Sequence, residues 1–349
     1  MTRREIVQST LAFKKAPTPY NIDFTGDMRA RLAAHFGRAD VDEAVGNYFL
    51  CINVGSNAGA EVNRVAGGLM QPLGAARFQD EFGVIWDKSA GDDIGVVANQ
   101  VLPEPDISRL HLPDPTDGAR WQGYEQVRQQ AGDRYVLACF SSPLFQRAWF
   151  LRGMGALLED LALNDAFVHD LLDRLMQFSL GVVDGIISRG ADGVIFYDDY
   201  AQQSGLLFSP AMFREFFAPR LASICQRVRA AGLDVFFHSC GNVTDILDDL
   251  HACGVQVFNP LQPEVMDIAA LAAQYAGKLA FYGGISTQQT MPYGQPDDVR
   301  REATSMLALF RPQGGYILAP AHALQKDVPL ENVLALLAMV RAENDRLGY

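Results

Sequence analysis

The chain has no uninterrupted apolar run of about eighteen residues, so no membrane span is expected. Its start, Met1-Thr2-Arg3-Arg4-Glu5, leads into no apolar stretch of the kind a signal peptide carries. Cysteine is scarce: Cys51, Cys139, Cys225, Cys240 and Cys253 form an odd, scattered set. That pattern excludes a secreted disulfide framework and points to reduced thiols in the cytoplasm. There is no Lys/Arg block, and 29 basic residues stand against 41 acidic ones, a formal charge of -12. Such a surface repels phosphate backbones and anionic bilayers, so neither nucleic acid nor membrane is an expected partner. No glycine-rich phosphate loop or Walker pattern is found, which argues against a nucleotide-binding sheet.

What the chain does have is apolar material for one large core, 49% hydrophobic residues among 349. Length alone would suggest two domains, but α/β barrels of this size are single domains. From about residue 130, short apolar runs alternate with amphipathic helical stretches. Tyr135-Val136-Leu137-Ala138-Cys139-Phe140, Val194-Ile195-Phe196-Tyr197 and Val235-Phe236-Phe237 read as strands. Val255-Gln256-Val257-Phe258, Leu279-Ala280-Phe281-Tyr282 and Tyr316-Ile317-Leu318-Ala319 continue the series. They are mostly apolar on both faces, as buried parallel strands are. Between them, Ser209-Pro210 opens a helix whose face is Phe213, Phe216, Phe217, Leu221, Ile224 and Val228, with Gly232 as its stop. A short helix is expected after Asn242, another through Val299, Ala303, Met306 and Phe310, and a last one from Leu330 to Arg346.

Two earlier runs, Tyr20-Asn21-Ile22-Asp23-Phe24 and Tyr48-Phe49-Leu50-Cys51-Ile52, bring the strand count to eight. The expectation is a single (β/α)8 TIM barrel over residues 1–349. Between 60 and 130 the periodicity weakens and Gly, Pro and Asp become frequent, which reads as an insertion with a hairpin around 82–86.

Barrel chemistry sits where strands run into their βα loops. The first strand carries Asn21 and Asp23, and Asp198-Asp199-Tyr200 follow the fourth. His238-Ser239-Cys240-Gly241-Asn242 follow the fifth, Asn259-Pro260-Leu261-Gln262-Pro263 the sixth, Tyr282-Gly283-Gly284-Ile285-Ser286 end the seventh, and His322 follows the eighth. Residues two apart on a strand end point to one side, so His238 and Cys240 can share a metal, with His322 as a third ligand. Three N/S ligands and an open position describe a catalytic zinc site. The same pair also fits a hydrogen-bonded imidazole beside a packed thiol. One of Asp198 and Asp199 is expected to act as acid or base, or to hold a substrate group; the other reading of such a pair is an N-cap plus a surface charge, but the apolar run before it places at least one of them in the mouth. His35, His111, His169 and His251, and the other four cysteines, are expected to be structural.

The His238-Ser239-Cys240-Gly241-Asn242 segment, the Tyr282-Gly283-Gly284-Ile285-Ser286 turn and Ile317-Leu318-Ala319-Pro320-Ala321-His322 resemble the uroporphyrinogen-decarboxylase superfamily. So do Phe208-Ser209-Pro210, Phe216-Phe217-Ala218-Pro219 and Pro329-Leu330-Glu331-Asn332. Authentic decarboxylases of that superfamily carry Arg-Gln-Ala-Gly-Arg-Tyr after the first strand, whose arginines grip a many-carboxylate tetrapyrrole. Here the matching region reads Tyr20-Asn21-Ile22-Asp23-Phe24-Thr25-Gly26-Asp27, with neutral and acidic residues instead. The cobalamin-dependent methyltransferase branch shares the His-x-Cys-Gly element and holds zinc with it and a third ligand, usually cysteine, near the end of the last strand. His238 and Cys240 match, and His322 stands at the third position.

The resemblance therefore implies zinc, a corrinoid carried on a separate protein, and a small-molecule methyl donor or acceptor. Either a thiol receives the methyl group or a methyl ether or amine gives it up. Asp198 or Asp199 would act on the substrate, and Asn21, Asp23, Tyr200, Asn242, Gln262 and Tyr282 would line its pocket. The alternative is a metal-free decarboxylase that protonates its product through Asp198 or Asp199. A barrel that only binds a ligand or partner stands third.

Overall fold

The computed structural model describes residues 1–55, 68–89, 95–163 and 165–346. In chain order, β1 (Phe49–Asn53) precedes a small antiparallel sheet of β2 (Met70–Pro72), β3 (Arg77–Asp80), β4 (Ile85–Asp87) and β5 (Val96–Val97). Then come β6 (Tyr135–Ser141), β7 (Gly193–Tyr197), a short hairpin of β8 (Ala201–Gln202) and β9 (Gly205–Leu206), and β10 (Asp234–His238). The last are β11 (Val257–Leu261), β12 (Ala280–Ile285) and β13 (Tyr316–Pro320). Seven of these form one parallel sheet in the order β1-β6-β7-β10-β11-β12-β13.

The eighth place is taken by the segment around residues 20–24. It bridges β13 at Tyr20–Leu318 and the loop beyond at Phe24–Leu324, while Tyr48 N donates to Tyr20 O at 3.1 Å. The expected first strand is thus present in position but not as a regular strand. On its β1 side the Asn47 amide replaces part of the ladder: its Oδ1 accepts from Ile22 N and its Nδ2 donates to Ile22 O, both at 2.9 Å. The barrel closes through a side chain where backbone pairing would otherwise run.

Alternation along the strands separates two cores. Phe49, Leu137, Cys139, Ile195, Phe236, Val257, Tyr282 and Ile317 fill the barrel interior. The outer faces of the strands pack against the surrounding helices in a second, larger cluster. The helix Arg3–Leu11, with its Thr2/Glu5 capping box, contributes Val7 and Leu11 to the interior cluster. The helix expected after Ser209 runs through a π segment, Phe213–Phe217, before Ala218–Ala230. Pro219 has no N–H to offer Glu215, and the wider turn absorbs the missing bond.

Of the expected insertion over 60–130, residues 60–67 and 90–94 lie outside the described set. The remainder carries the four-stranded sheet, including a hairpin whose turn lies between Asp80 and Ile85. Buried ion pairs fasten this sheet to the barrel. Arg147 meets Asp80 at 2.6 Å, with side chains 1% and 0% exposed, and its guanidinium lies 3.9 Å from the Phe82 ring centre. Arg120 meets Glu81 at 2.6 Å. Among the described residues no helix is long and apolar enough to cross a membrane.

Candidate metal centre and active-site cavity

The C-terminal ends of the parallel strands surround a cavity of about 630 Å³. On its wall, His238 ends β10 and Cys240 follows two residues later. Cys240 Sγ lies 3.4 Å from His238 Nε2, and Asp199 Oδ1 lies 3.8 Å from the same nitrogen. The ligand atoms of Asp199, His238 and Cys240 all fall within 4.8 Å of one another.

Each group is held from behind. His238 pairs in register with Asn259 of β11, and its Nδ1–H donates to Asn259 Oδ1 at 2.5 Å. Asn259 Nδ2 donates to the Tyr282 carbonyl at 3.0 Å, which fixes the amide so that its oxygen faces the imidazole. Nε2 is therefore left with a lone pair aimed at the cluster. Burial holds this imidazole below its ordinary pKa, His322 adds to the effect, and Asp199 opposes it. Asp199 Oδ1 also accepts from Cys240 N at 2.7 Å, and Gln146 Nε2 donates to Asp199 Oδ2 at 3.1 Å. Burial, then the Asp199 charge, pushes the Cys240 thiol up; a bound cation reverses that balance.

The loop after Cys240 depends on Gly241, whose φ is +85° and where a Cβ would stand 2.6 Å from Gln202 O. Gln262 Oε1 accepts from Gly241 N at 3.1 Å.

The donor set suits zinc. With the usual Zn–N, Zn–O and Zn–S bond lengths, the edges of a tetrahedral site run to roughly 3.4–3.6 Å, close to the 3.4 and 3.8 Å seen here. One imidazole already oriented by a second hydrogen bond is the usual companion of such a site.

His322 is exposed and lines the same cavity from the loop after β13, outside the 4.8 Å cluster. Asp198 and Asp199 separate completely. Asp199 faces the cavity, whereas Asp198 is 0% exposed and accepts from Phe145 N and Gln146 N at 2.9 and 2.7 Å, capping the helix Phe145–Arg152. Burial pushes its carboxyl up to about 7 against those two donors.

Asn21 lies in the wall and donates to the Tyr282 hydroxyl at 2.9 Å, and the Tyr282 ring stacks on Phe49. Asp23 also lines the cavity and meets Arg29 at 3.3 Å. Tyr200 is fully buried among Phe145, Phe208, Phe213, Phe217 and Phe237. Asn242 accepts from Thr244 N at the start of the next helix. Gln262 lines a second groove of about 460 Å³ that shares Cys240, Ala321, His322 and Ala323 with the cavity.

The roles of several cavity residues were not legible in the sequence. Tyr197 packs against His238 with ring centres 4.7 Å apart. Asn259 and Gln146 support the cluster from neighbouring elements. Cys51, expected to be packed, is exposed in the cavity, because β1 turns it into the part of the barrel that is hollow.

The family model for uroporphyrinogen decarboxylase (URO-D) matches residues 81–343. A methylcobamide:CoM methyltransferase, MtaA, of Methanosarcina barkeri (strain Fusaro / DSM 804) is 30% identical over 241 residues, 68% of this chain and 66% of that protein. The chain spans 66% or less of the length of the MtaA proteins it matches. A uroporphyrinogen decarboxylase of Anaeromyxobacter sp. (strain Fw109-5) is 24% identical over 263 residues, 73% of each chain. Among solved structures, a methyltransferase from Methanosarcina mazei superposes over the full length of both chains with a TM-score of 0.73 at 18% identity, the same fold.

Proposed function

The chain belongs to the uroporphyrinogen decarboxylase family, and from that premise we propose that it is a zinc-dependent methyltransferase of the cytoplasm. It moves a methyl group between a small molecule and a corrinoid carried on a partner protein. The observation that carries this reading is the cluster of His238 Nε2, Cys240 Sγ and an Asp199 oxygen on the wall of a substrate-sized cavity. The 30% identity to a methylcobamide:CoM methyltransferase supports the same branch.

In this reading His238, Cys240 and Asp199 hold the metal, and His322 stands at the mouth. Bound there, zinc supplies a Lewis acid that favours the thiolate of an acceptor thiol, or polarises the heteroatom of a methyl ether or amine. The protein's own residues do the rest. Asn259 keeps the His238 ring in one tautomer and orientation. Asp199 holds the Cys240 backbone and offsets the charge of the centre. His322, exposed where cavity and groove meet, takes or returns the proton of the substrate heteroatom. Tyr282 and Asn21 present neutral hydrogen-bonding groups to the substrate. The shared rim at Cys240 and His322 gives two approaches, one for the small molecule and one for the partner.

The test is metal stoichiometry of protein purified without chelators, together with demethylation of free methylcobalamin in the presence of thiols. About one zinc per chain is expected, lost in His238→Ala and Cys240→Ala, with methyl transfer lost alongside it. A protein that takes up no zinc and turns over a carboxylated substrate would establish the decarboxylase reading instead.

A further inference from the structure

The barrel interior is lined with rings of two kinds. Phe49 and Phe236 belong to the interior cluster as plain hydrocarbon, Tyr282 belongs to it with a hydroxyl, and Tyr197 packs against it with another. Other tyrosines of the fold donate to protein oxygens: Tyr20 to Val45 O at 2.9 Å, Tyr135 to Asp234 Oδ2 at 2.7 Å and Tyr316 to Gly283 O at 2.8 Å. Such pairing is the rule for a phenol taken out of water.

Tyr197 and Tyr282 depart from it, and both line the cavity. Among the described residues the half-buried Tyr197 offers a hydroxyl with no hydrogen-bond partner. The Tyr282 oxygen accepts from Asn21 Nδ2 at 2.9 Å, which leaves its proton for the cavity and strengthens it as a donor. Tyr197 pairs in register with His238, and its ring centre lies 4.7 Å from that of the imidazole. It precedes Asp199 by two residues on the same face of the chain, so it stands one strand step, about 6–7 Å, deeper in the barrel.

Resting on the methyl-transfer reading above, we infer that Tyr197 is a specificity-determining residue whose hydroxyl donates to an oxygen of the small molecule, with Tyr282 as a second donor from β12. The ligand is then two-ended. Its reacting heteroatom lies at the cluster of Asp199, His238 and Cys240, and its oxygen lies deeper, against the two phenols. A hydrocarbon body in the same place would displace water and leave both donors unmade, and a site built to hydrogen-bond rejects such a ligand more strongly than an apolar one can. The substrate class is therefore an oxygen-bearing thiol, ether or amine, with the oxygen a few bonds from the atom that exchanges the methyl group.

Two pairs of probes, each setting a hydroxyl against a methyl group of the same size, test this by calorimetry on the zinc-loaded protein. They are 2-mercaptoethanol against 1-propanethiol, and 2-methoxyphenol against 2-methoxytoluene. In whichever pair binds, the hydroxyl member should bind more tightly. Tyr197→Phe removes one oxygen and keeps the ring beside His238; it should cut that preference about three- to tenfold, with zinc still bound. Tyr282→Phe should cut it as well. A wild-type protein with no preference for the hydroxyl member overturns the inference and leaves the methyl-transfer reading standing. So does a zinc-loaded Tyr197→Phe protein that keeps the full preference, or that weakens both members by one factor, since the ring alone would then matter. If neither pair binds a protein that does hold zinc, the methyl-transfer reading fails and the inference falls with it.

Discussion

Asn259 stands 2.5 Å behind His238, with its carbonyl oxygen on Nδ1 and its amide nitrogen on the Tyr282 backbone. The imidazole cannot turn without breaking a bond whose far end belongs to the neighbouring strand. Asn259→Ala should therefore weaken zinc by about 10–100-fold, the usual effect of removing an orienting partner. Competition with a chromophoric chelator measures it. Wild-type affinity in the variant would show that His238 needs no such support.

The buried Asp198 gives a pH signature of its own. Its carboxyl ordinarily titrates near 3.8 and is pushed up to about 7 in the fold. A raised value means that the native state holds the proton more tightly than the unfolded chain. The resulting stability is complete below about pH 4 and disappears as pH rises through about 7. Unfolding free energies of wild type and Asp198→Asn, measured in urea from pH 4 to pH 8, should show the wild type losing ground by on the order of 4 kcal/mol. A difference that stays flat or grows with pH would mean that another group sets the slope.

Among the described residues, Arg147 and Asp80 form the most buried ion pair joining the small sheet to the barrel. Asp80 also accepts from Phe82 N, Val84 N and Trp86 Nε1, so its charge organises the hairpin. Arg147→Ala leaves that carboxylate without its cation and should cost about 3–5 kcal/mol. Chemical denaturation reads this directly; a loss under about 1 kcal/mol would count against a structural role for the pair.

On the zinc reading proposed above, Gly241 couples the backbone to the metal ligands. Any side chain there meets Gln202 O, and the positive φ adds strain. Gly241→Ala should cost about 1–3 kcal/mol and displace Cys240, so that the folded variant binds zinc more weakly than wild type. Circular dichroism and metal analysis on one sample separate the two effects, and a folded variant with full zinc would dismiss the coupling.

Legibility in the sequence followed the local rules. His238 and Cys240 stood out because two-residue spacing at a strand end puts both on one side. The Asp198-Asp199 pair could not be resolved, because β7 is apolar on both faces and hides its phase. The structure supplies that phase: Tyr197 and Asp199 face the cavity, and Asp198 points away from it to cap the helix Phe145–Arg152 that follows β6. Asn259 was visible as a strand-end residue, but its role depends on the β10–β11 register, which no local pattern encodes. The same holds for Asn47, whose side chain stands in for a ladder that periodicity alone placed on the 20–24 run.

That stand-in has a consequence in time. Residues 20–24 meet Asn47 and Tyr48 early, but on their other side they pair only with Leu318 and Leu324, some three hundred residues later in synthesis. At roughly 5–20 residues per second, the early segment waits on the order of a quarter to a full minute on the ribosome. Asp199, His238, Cys240 and Asn259 all emerge well before that wait is over. On the zinc reading proposed above, a cation can thus meet its ligands on a nascent chain that is still an open sheet, and the last strand then shuts the barrel around them.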